Sequence, residues 1–360
     1  MNRVFESVLR YILPKVVTSY RRWQHHLKVH PELRQRIALF GAAAIAGLII
    51  ACIRILPTLT AAEIAPNTSA VQTAPAPNPT SLAGNQTQDD PRFAKTPSWT
   101  QNYINQTSGL PDPLYWNVLV GPAENSNNEQ QYYTDSYSNV HVENGALRLI
   151  ATKQSQPGGY QYSSARLETQ GKKSFLYGRI DITAKIPGGV GTWPAVWMLP
   201  ANDVYAKKSA DNDIMRYKNG GEIDIIESVG FEQDLNYGVA HTLSDVSLHP
   251  DGTGSYKTIN VPNSTTTFNI YTLLWTPTSL TFAVNGTPYY TYTRQDGADY
   301  KTWPFDQPFY LIANLAMGGN WGGMNTKDFP GNGIDNSALP ASLEIQSIYY
   351  YPYIGSKDVR

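Results

Sequence analysis

One cysteine, Cys52, is all the thiol this 360-residue chain contains. It lies ahead of most of the sequence, so the remainder can hold neither a disulfide nor a thiolate metal site. Stability must then come from a large apolar core, which about 260 residues can supply in one domain. Net charge is also scarce, 28 Lys and Arg against 29 Asp and Glu. The balance is uneven, however. Nine of the basic residues and two of the acidic ones fall within residues 1–60, which leaves a net charge of −8 on the rest. A body this acidic disfavours nucleic acid as a partner. Amphipathic helices are missing beyond about Tyr103, and no internal repeat is visible.

What is present begins with one long apolar run. From Ile37 the chain reads IALFGAAAIAGLIIACI, and counting on to Leu56 gives 20 residues. As a helix these span about 30 Å, the thickness of a bilayer's hydrocarbon core. Basic residues precede the run, and a Pro/Thr/Ala/Asn-rich stretch follows it. The expectation is a transmembrane signal-anchor helix at 37–56, with 1–36 as a basic cytoplasmic segment and everything after Pro57 outside. Two rival readings stay open. One is a cleaved secretory signal, with a small-residue site at Leu59–Ala62. The second is a lipoprotein box around Ile49–Cys52, in which Cys52 carries lipid. Residues 57–96 are poor in large apolar side chains and are expected to form a disordered tether.

From about Pro97 the text changes to short strand-like runs with frequent turn signals. Asn139–Val142 and Leu147–Thr152 flank Glu143-Asn144-Gly145, and Leu280–Val284 and Pro288–Tyr292 flank Asn285-Gly286. Both read as hairpins. Tyr271–Trp275, Phe309–Leu315 and Leu343–Tyr351 are further β-branched or aromatic runs. Many short strands predict an all-β sandwich or barrel over 97–357.

The chemistry is concentrated in Gly221-Glu222-Ile223-Asp224-Ile225-Ile226-Glu227-Ser228. Strand side chains alternate faces, so Glu222 and Asp224 share one side and Glu227 should point to the other. A one-residue bulge at Ile225–Ile226 returns Glu227 to the acidic face. Glu222 and Glu227 are then roughly 13 Å apart along the strand, and two leaning side chains reduce that to roughly 5 Å between carboxyls. Retaining glycosidases need ~5–5.5 Å and inverting ones ~6.5–9.5 Å. Three acids at this spacing arise by chance in roughly one such chain in five, so the motif needs its context. That context is apolar residues between the acids and tryptophans close upstream.

The surrounding segments supply a resemblance. In order they are Ser164-Ala-Arg166-Leu-Glu-Thr169, Tyr177-Gly-Arg179-Ile180, Gly191-Thr-Trp193-Pro194-Ala195-Val-Trp197, the acidic strand, Val239-Ala-His241-Thr242, Trp275-Thr-Pro277, and Asn314-Leu-Ala-Met-Gly318-Gly319-Asn-Trp321. Together they resemble glycoside hydrolase family 16, and within it the laminarinase-like endo-β-1,3-glucanases, from about Trp99 to Tyr353. The resemblance implies a jelly-roll β-sandwich of two curved antiparallel sheets whose concave face holds the glycan. It implies retaining chemistry, with Glu222 as nucleophile, Glu227 as general acid/base and Asp224 between them to orient and tune. One acid must be ionised to attack while its neighbour stays protonated, and a third negative charge helps keep that proton in the site. No metal or organic cofactor is required.

Sugar rings present flat C–H faces that indoles can cover. Trp193, Trp197 and Trp321 are the cleft candidates, whereas Trp116, Trp275 and Trp303 are expected in core or loop packing. Asn128, Arg166, His241 and Asn314 match positions that line the cleft in the family. The partners implied are a β-glucan polysaccharide and, through the amino-terminal helix, a membrane, with a monomer expected. Members with this longer acidic motif also include red-algal galactan hydrolases, so galactan cleavage stays open. A transglycosylase and a non-catalytic glucan-binding surface protein stay open with it. One departure concerns calcium. Family members often bind it through an aspartate on the last long strand, where this chain has Gln346, a poor ligand for a hard cation. Chelation with EGTA is therefore expected to leave the melting temperature essentially unchanged. A large drop would show that calcium is bound.

Overall fold

The computed structural model describes residues 90–122, 127–202, 204–205, 220–244, 255–323 and 333–355. The basic segment 1–36, the expected membrane helix 37–56 with Cys52, most of the linker 57–96 and most of Ala201–Gly221 lie outside the described residues. Among the described residues no helix is long and apolar enough to cross a membrane. The helical elements there include two 3-10 turns, Pro157–Gly159 and Asn336–Ala338.

The described strands form a twelve-stranded and a seven-stranded sheet. Pairing is antiparallel throughout, with one exception: Gln131–Tyr133 runs parallel to Tyr162–Ser164. Both expected hairpins are present. Val140–Glu143 pairs with Ala146–Lys153, and Ser279–Val284 with Thr287–Thr293. Each turns through an Asn-Gly pair with positive φ, 49° and 81° at Asn144-Gly145 and 47° and 79° at Asn285-Gly286. That geometry matches the twist of the flanking strands and is why Asn-Gly marks hairpins.

The packed chain begins earlier than the composition suggests. Phe93 is 2% exposed and bridges to Tyr353, while Ala94 N–H donates to Pro352 O at 2.9 Å. One large aromatic in a polar stretch is enough to dock it, so part of the expected tether belongs to the domain. At the other end, Gln346 is buried on the strand Ala341–Pro352, and its carbonyl accepts the Tyr103 N–H at 3.0 Å.

Between the sheets lies one large apolar core. Leu147, Leu149, Ile180, Ile182, Leu273, Phe309, Leu311, Leu315, Leu343 and Ile345 contribute to it, as do Trp275 and Trp303. Each fully buried aliphatic side chain of this kind contributes about 1.5–3 kcal/mol. Trp116 is also buried, its Nε1–H within 3.2 Å of both Gln101 Oε1 and Tyr103 Oη. These three tryptophans belong to packing, as expected from the sequence.

The seven-stranded sheet runs, edge to edge, through Ser255–Asn260, Leu235–His241, Glu222–Glu227, Thr192–Pro200, Phe309–Met317, Arg166–Glu168 and Asn117–Val118. One of its faces packs on the core. The other carries the acids.

Candidate active site

On the strand Glu222–Glu227 the alternation is broken at one place. Ile223, Ile225 and Ile226 all belong to the core between the sheets. The pairing with Thr192–Pro200 reads Met198↔Ile223, Trp197↔Asp224, then Val196↔Ile226 and Ala195↔Glu227, so Ile225 has no opposite number. This is a β-bulge at the expected position. Its effect follows from parity: Trp197 and Ala195 share a face of their strand, and so do the acids opposite them. Glu222, Asp224 and Glu227 therefore project to the same side.

His241 lies opposite Glu222 on the neighbouring strand. Its Nε2 is 2.9 Å from Asp224 Oδ2 and 3.6 Å from Glu222 Oε1. These three side chains are also the metal-capable group that the described residues bring together. Asp224 is 2% exposed and Glu227 7%, whereas Glu222 and His241 are half-buried. Glu227 is buried against the sheet's outer face, not between the sheets, and Trp193 Nε1–H donates to its Oε1 at 3.1 Å.

Trp193 and Trp197 share this face but differ in setting. Trp197 is half-buried, donates from Nε1 to Asn314 Oδ1 at 2.7 Å, and has the Arg166 guanidinium 5.2 Å from its ring centre. Trp193 is 6% exposed, packed edge-on against Trp321 at 5.4 Å. Trp321 does not meet the expectation of an open platform. It is 1% exposed, wedged between Trp193 and Tyr237, with the latter ring 4.9 Å away. Its role in this arrangement is to brace Trp193, because the aromatic cluster it joins, with Val229, Val239 and Ala316, leaves it no open face.

Toward the far edge, Asn314 pairs opposite Arg166, and Ile312 opposite Glu168. Arg166 and Glu168 are both buried and form a double contact at 2.9 and 2.7 Å. Beyond them the face opens into a hollow of about 450 Å³ walled by Asn117, Glu168 and Tyr310 among others. Asn128 is exposed, has φ of 54°, and donates from Nδ2 to Asn320 Oδ1 at 2.7 Å. Its neighbours Asn127 and Glu129 border Gly319 together with the Trp193 ring, which puts this loop at the Trp193 end of the face.

Several residues of this face are not among the candidates that the sequence singles out. Glu168 is two positions after Arg166, so strand alternation alone places it on the same side. Tyr133 accepts from Asn314 Nδ2 at 3.3 Å and approaches Glu129 Oε2 at 3.4 Å, and Gln131 Nε2 donates to the same carboxylate oxygen at 2.6 Å. Burial pushes the Glu129 carboxyl above the ordinary range, with those hydrogen bonds and Arg166 pulling against it. Nothing local in Glu-Gln-Gln-Tyr-Tyr distinguishes these residues, since Tyr133 and Gln131 also meet Asn314 and Met317, 181 and 186 positions away.

A model of the glycosyl hydrolases family 16 matches residues 127–329, more than half of the chain and all three acids of the face just described. The chain belongs to glycosyl hydrolase family 16. It is 38% identical over 270 residues to the beta-glucanase of Rhodothermus marinus, covering 73% of this chain and 88% of that protein. It is 32% identical to the glucan endo-1,3-beta-glucosidase A1 of Niallia circulans, over 74% of this chain and 39% of that longer protein. The solved laminarinase from Rhodothermus marinus superposes with a TM-score of 0.64 at 38% identity, covering 73% of this chain and 99% of that one. The all-β sandwich is thus the fold of the family 16 hydrolases.

Proposed function

We propose that this family 16 hydrolase is an endo-acting, retaining β-1,3-glucanase. The observation that carries the reading is the bulge at Ile225, which sets three carboxyl groups on one face beside an indole donor and a histidine. In this reading Glu222 attacks the anomeric carbon as Glu227 gives its proton to the departing glycosidic oxygen. The C–O bond breaks and a covalent glycosyl–Glu222 ester forms. Glu227, now ionised, takes a proton from water, which attacks the same carbon and releases Glu222. Asp224, held beside His241, orients Glu222. The seven-stranded face spans roughly 29 Å at ~4.8 Å per strand step, room for several sugar rings on either side of the cut, as internal cleavage needs.

Substrate preference follows the named relatives, and Trp197, Arg166, Asn314, Asn128, Trp193 and Trp321 are read as the glucan-binding set, Trp321 acting through Trp193. Incubating the protein with laminarin, agarose and carrageenan tests it. Reducing ends and a ladder of oligosaccharides should appear from laminarin. Release from the galactans alone would move the substrate class, and tight laminarin binding without release would make the protein a receptor. A smaller prediction concerns Trp193. Trp193→Phe keeps much of the contact with Trp321 but removes the N–H donated to Glu227. A hydrogen bond to an ionised group is worth about 1.5–3 kcal/mol, so kcat on laminarin is expected to fall about tenfold or more. An unchanged kcat would exclude a role for that N–H.

We also read residues 37–56 as a single-pass anchor holding the hydrolase outside the cell, with residues 57–89 as its tether. External protease should release an active domain from intact cells. Activity confined to the cell interior would contradict this.

A further inference from the structure

The bulge that turns Glu227 outward leaves part of its own strand without a ladder. Pairing between Glu222–Glu227 and Leu235–His241 covers Glu222↔His241, Ile223↔Ala240 and Asp224↔Val239, and goes no further. Past that point the backbone of Ile225 to Glu227 meets the side chain of Asn236. Along Leu235–His241, residues 237, 239 and 241 share the acidic face, so Asn236 points the other way, toward the core, and it is 0% exposed. An amide there must find partners or cost about 1–3 kcal/mol for each group left unsatisfied.

Its partners are the bulge. Asn236 Oδ1 accepts the Glu227 N–H at 3.3 Å, and Nδ2 lies 3.4 Å from Ile225 O and 3.3 Å from Tyr237 O. One amide therefore holds the residue that creates the extra step and the residue the step reorients. Nδ2 also lies 3.1 Å from Tyr289 Oη, which reaches across from the opposite sheet. Gly238 makes room for that approach, since a Cβ there would come within 2.5 Å of the Tyr289 hydroxyl. Just beyond, Ser228 Oγ donates to Leu235 O at 2.8 Å, closing the same seam. Leucine or valine at position 236 would suit the core equally well and would leave the Glu227 N–H and Ile225 carbonyl without this partner.

We propose that Asn236 is a positioning residue for Glu227, its side-chain amide replacing the absent strand ladder and fixing the direction in which the Glu227 carboxyl leaves the bulge. The inference rests on reading Glu227 as the acid/base. A displacement of about 1 Å in a catalytic group can cost on the order of 10²-fold in rate. The defect should also be selective, because Glu222 precedes the bulge and keeps its own ladder.

The test uses the full-length chain on two substrates, laminarin and 2,4-dinitrophenyl β-laminaribioside, whose phenolate leaves without being protonated. Asn236→Leu is close to isosteric, and Asn236→Ser keeps a polar group should leucine prevent folding. Either is expected to lower kcat/KM on laminarin by on the order of 10²-fold, with KM steady and kcat/KM on the aryl glycoside nearly unchanged. Parallel losses on both substrates would reduce Asn236 to a folding residue, and no loss on either would remove its role. Glu227→Gln run alongside should show the same split. If it does not, the acid/base reading falls, and the inference about Asn236 with it.

Discussion

Glu222→Gln is expected to lower kcat on laminarin by on the order of 10⁴-fold or more, with little change in KM or thermal stability. The amide has the shape of the carboxyl but cannot form the glycosyl ester. Glu222 opens its strand, is half-buried, and has His241 Nε2 3.6 Å from its Oε1, a contact the glutamine's side-chain oxygen can keep. Its main-chain pairing with His241 survives the substitution. Initial rates of reducing-end release, with melting curves for both proteins, measure the effect. A variant that cuts as fast as the wild type would exclude Glu222 as nucleophile.

Glu227→Gln should cost less on a good substrate and more on a poor one. Loss of general acid–base assistance is expected to lower kcat on laminarin by about 10²–10⁴-fold. On 2,4-dinitrophenyl β-laminaribioside, which forms the glycosyl–enzyme without acid assistance, azide should restore turnover in this variant, because a small anion needs no base and can attack from the side Glu227 no longer guards. The product would be a glycosyl azide of retained configuration, readable by NMR. An inverted azide would mean that the two glutamates have been given each other's roles, and no rescue would exclude Glu227 as the acid/base. Packing should tolerate the change, since Trp193 Nε1–H finds an oxygen on the glutamine as it does on Oε1 of Glu227.

Much of this site is legible in local sequence, for a physical reason. Strand parity and the bulge are properties of eight consecutive residues, so the shared facing of Glu222, Asp224 and Glu227 follows once one residue of the Ile225–Ile226 pair is counted as the bulge. Asn-Gly turns likewise specify hairpins within six residues. Pairing across the sheet is different. That His241 meets Asp224 depends on which residues of two strands fall opposite one another, and only the family resemblance points to it. Trp321 departs from its expected setting because an indole's exposure depends on its neighbours. Sequence alone offers it as a platform for a sugar ring, whereas in the fold Trp193 and Tyr237 close over it. Asn236 does carry a local signal, a polar residue at a core-facing position in an otherwise apolar strand, but its meaning needs the bulge beside it.

The unmatched isoleucine also bears on how such enzymes change length. Ile225 is a single added unit, and it shifts the count once. Deleting it in frame would give Glu-Ile-Asp-Ile-Glu, a strictly alternating segment that still presents three acids to one side. Strands with and without this residue are therefore interchangeable solutions, separated by one codon. Two isoleucines deleted together would put the last glutamate at an odd spacing and send it into the interior.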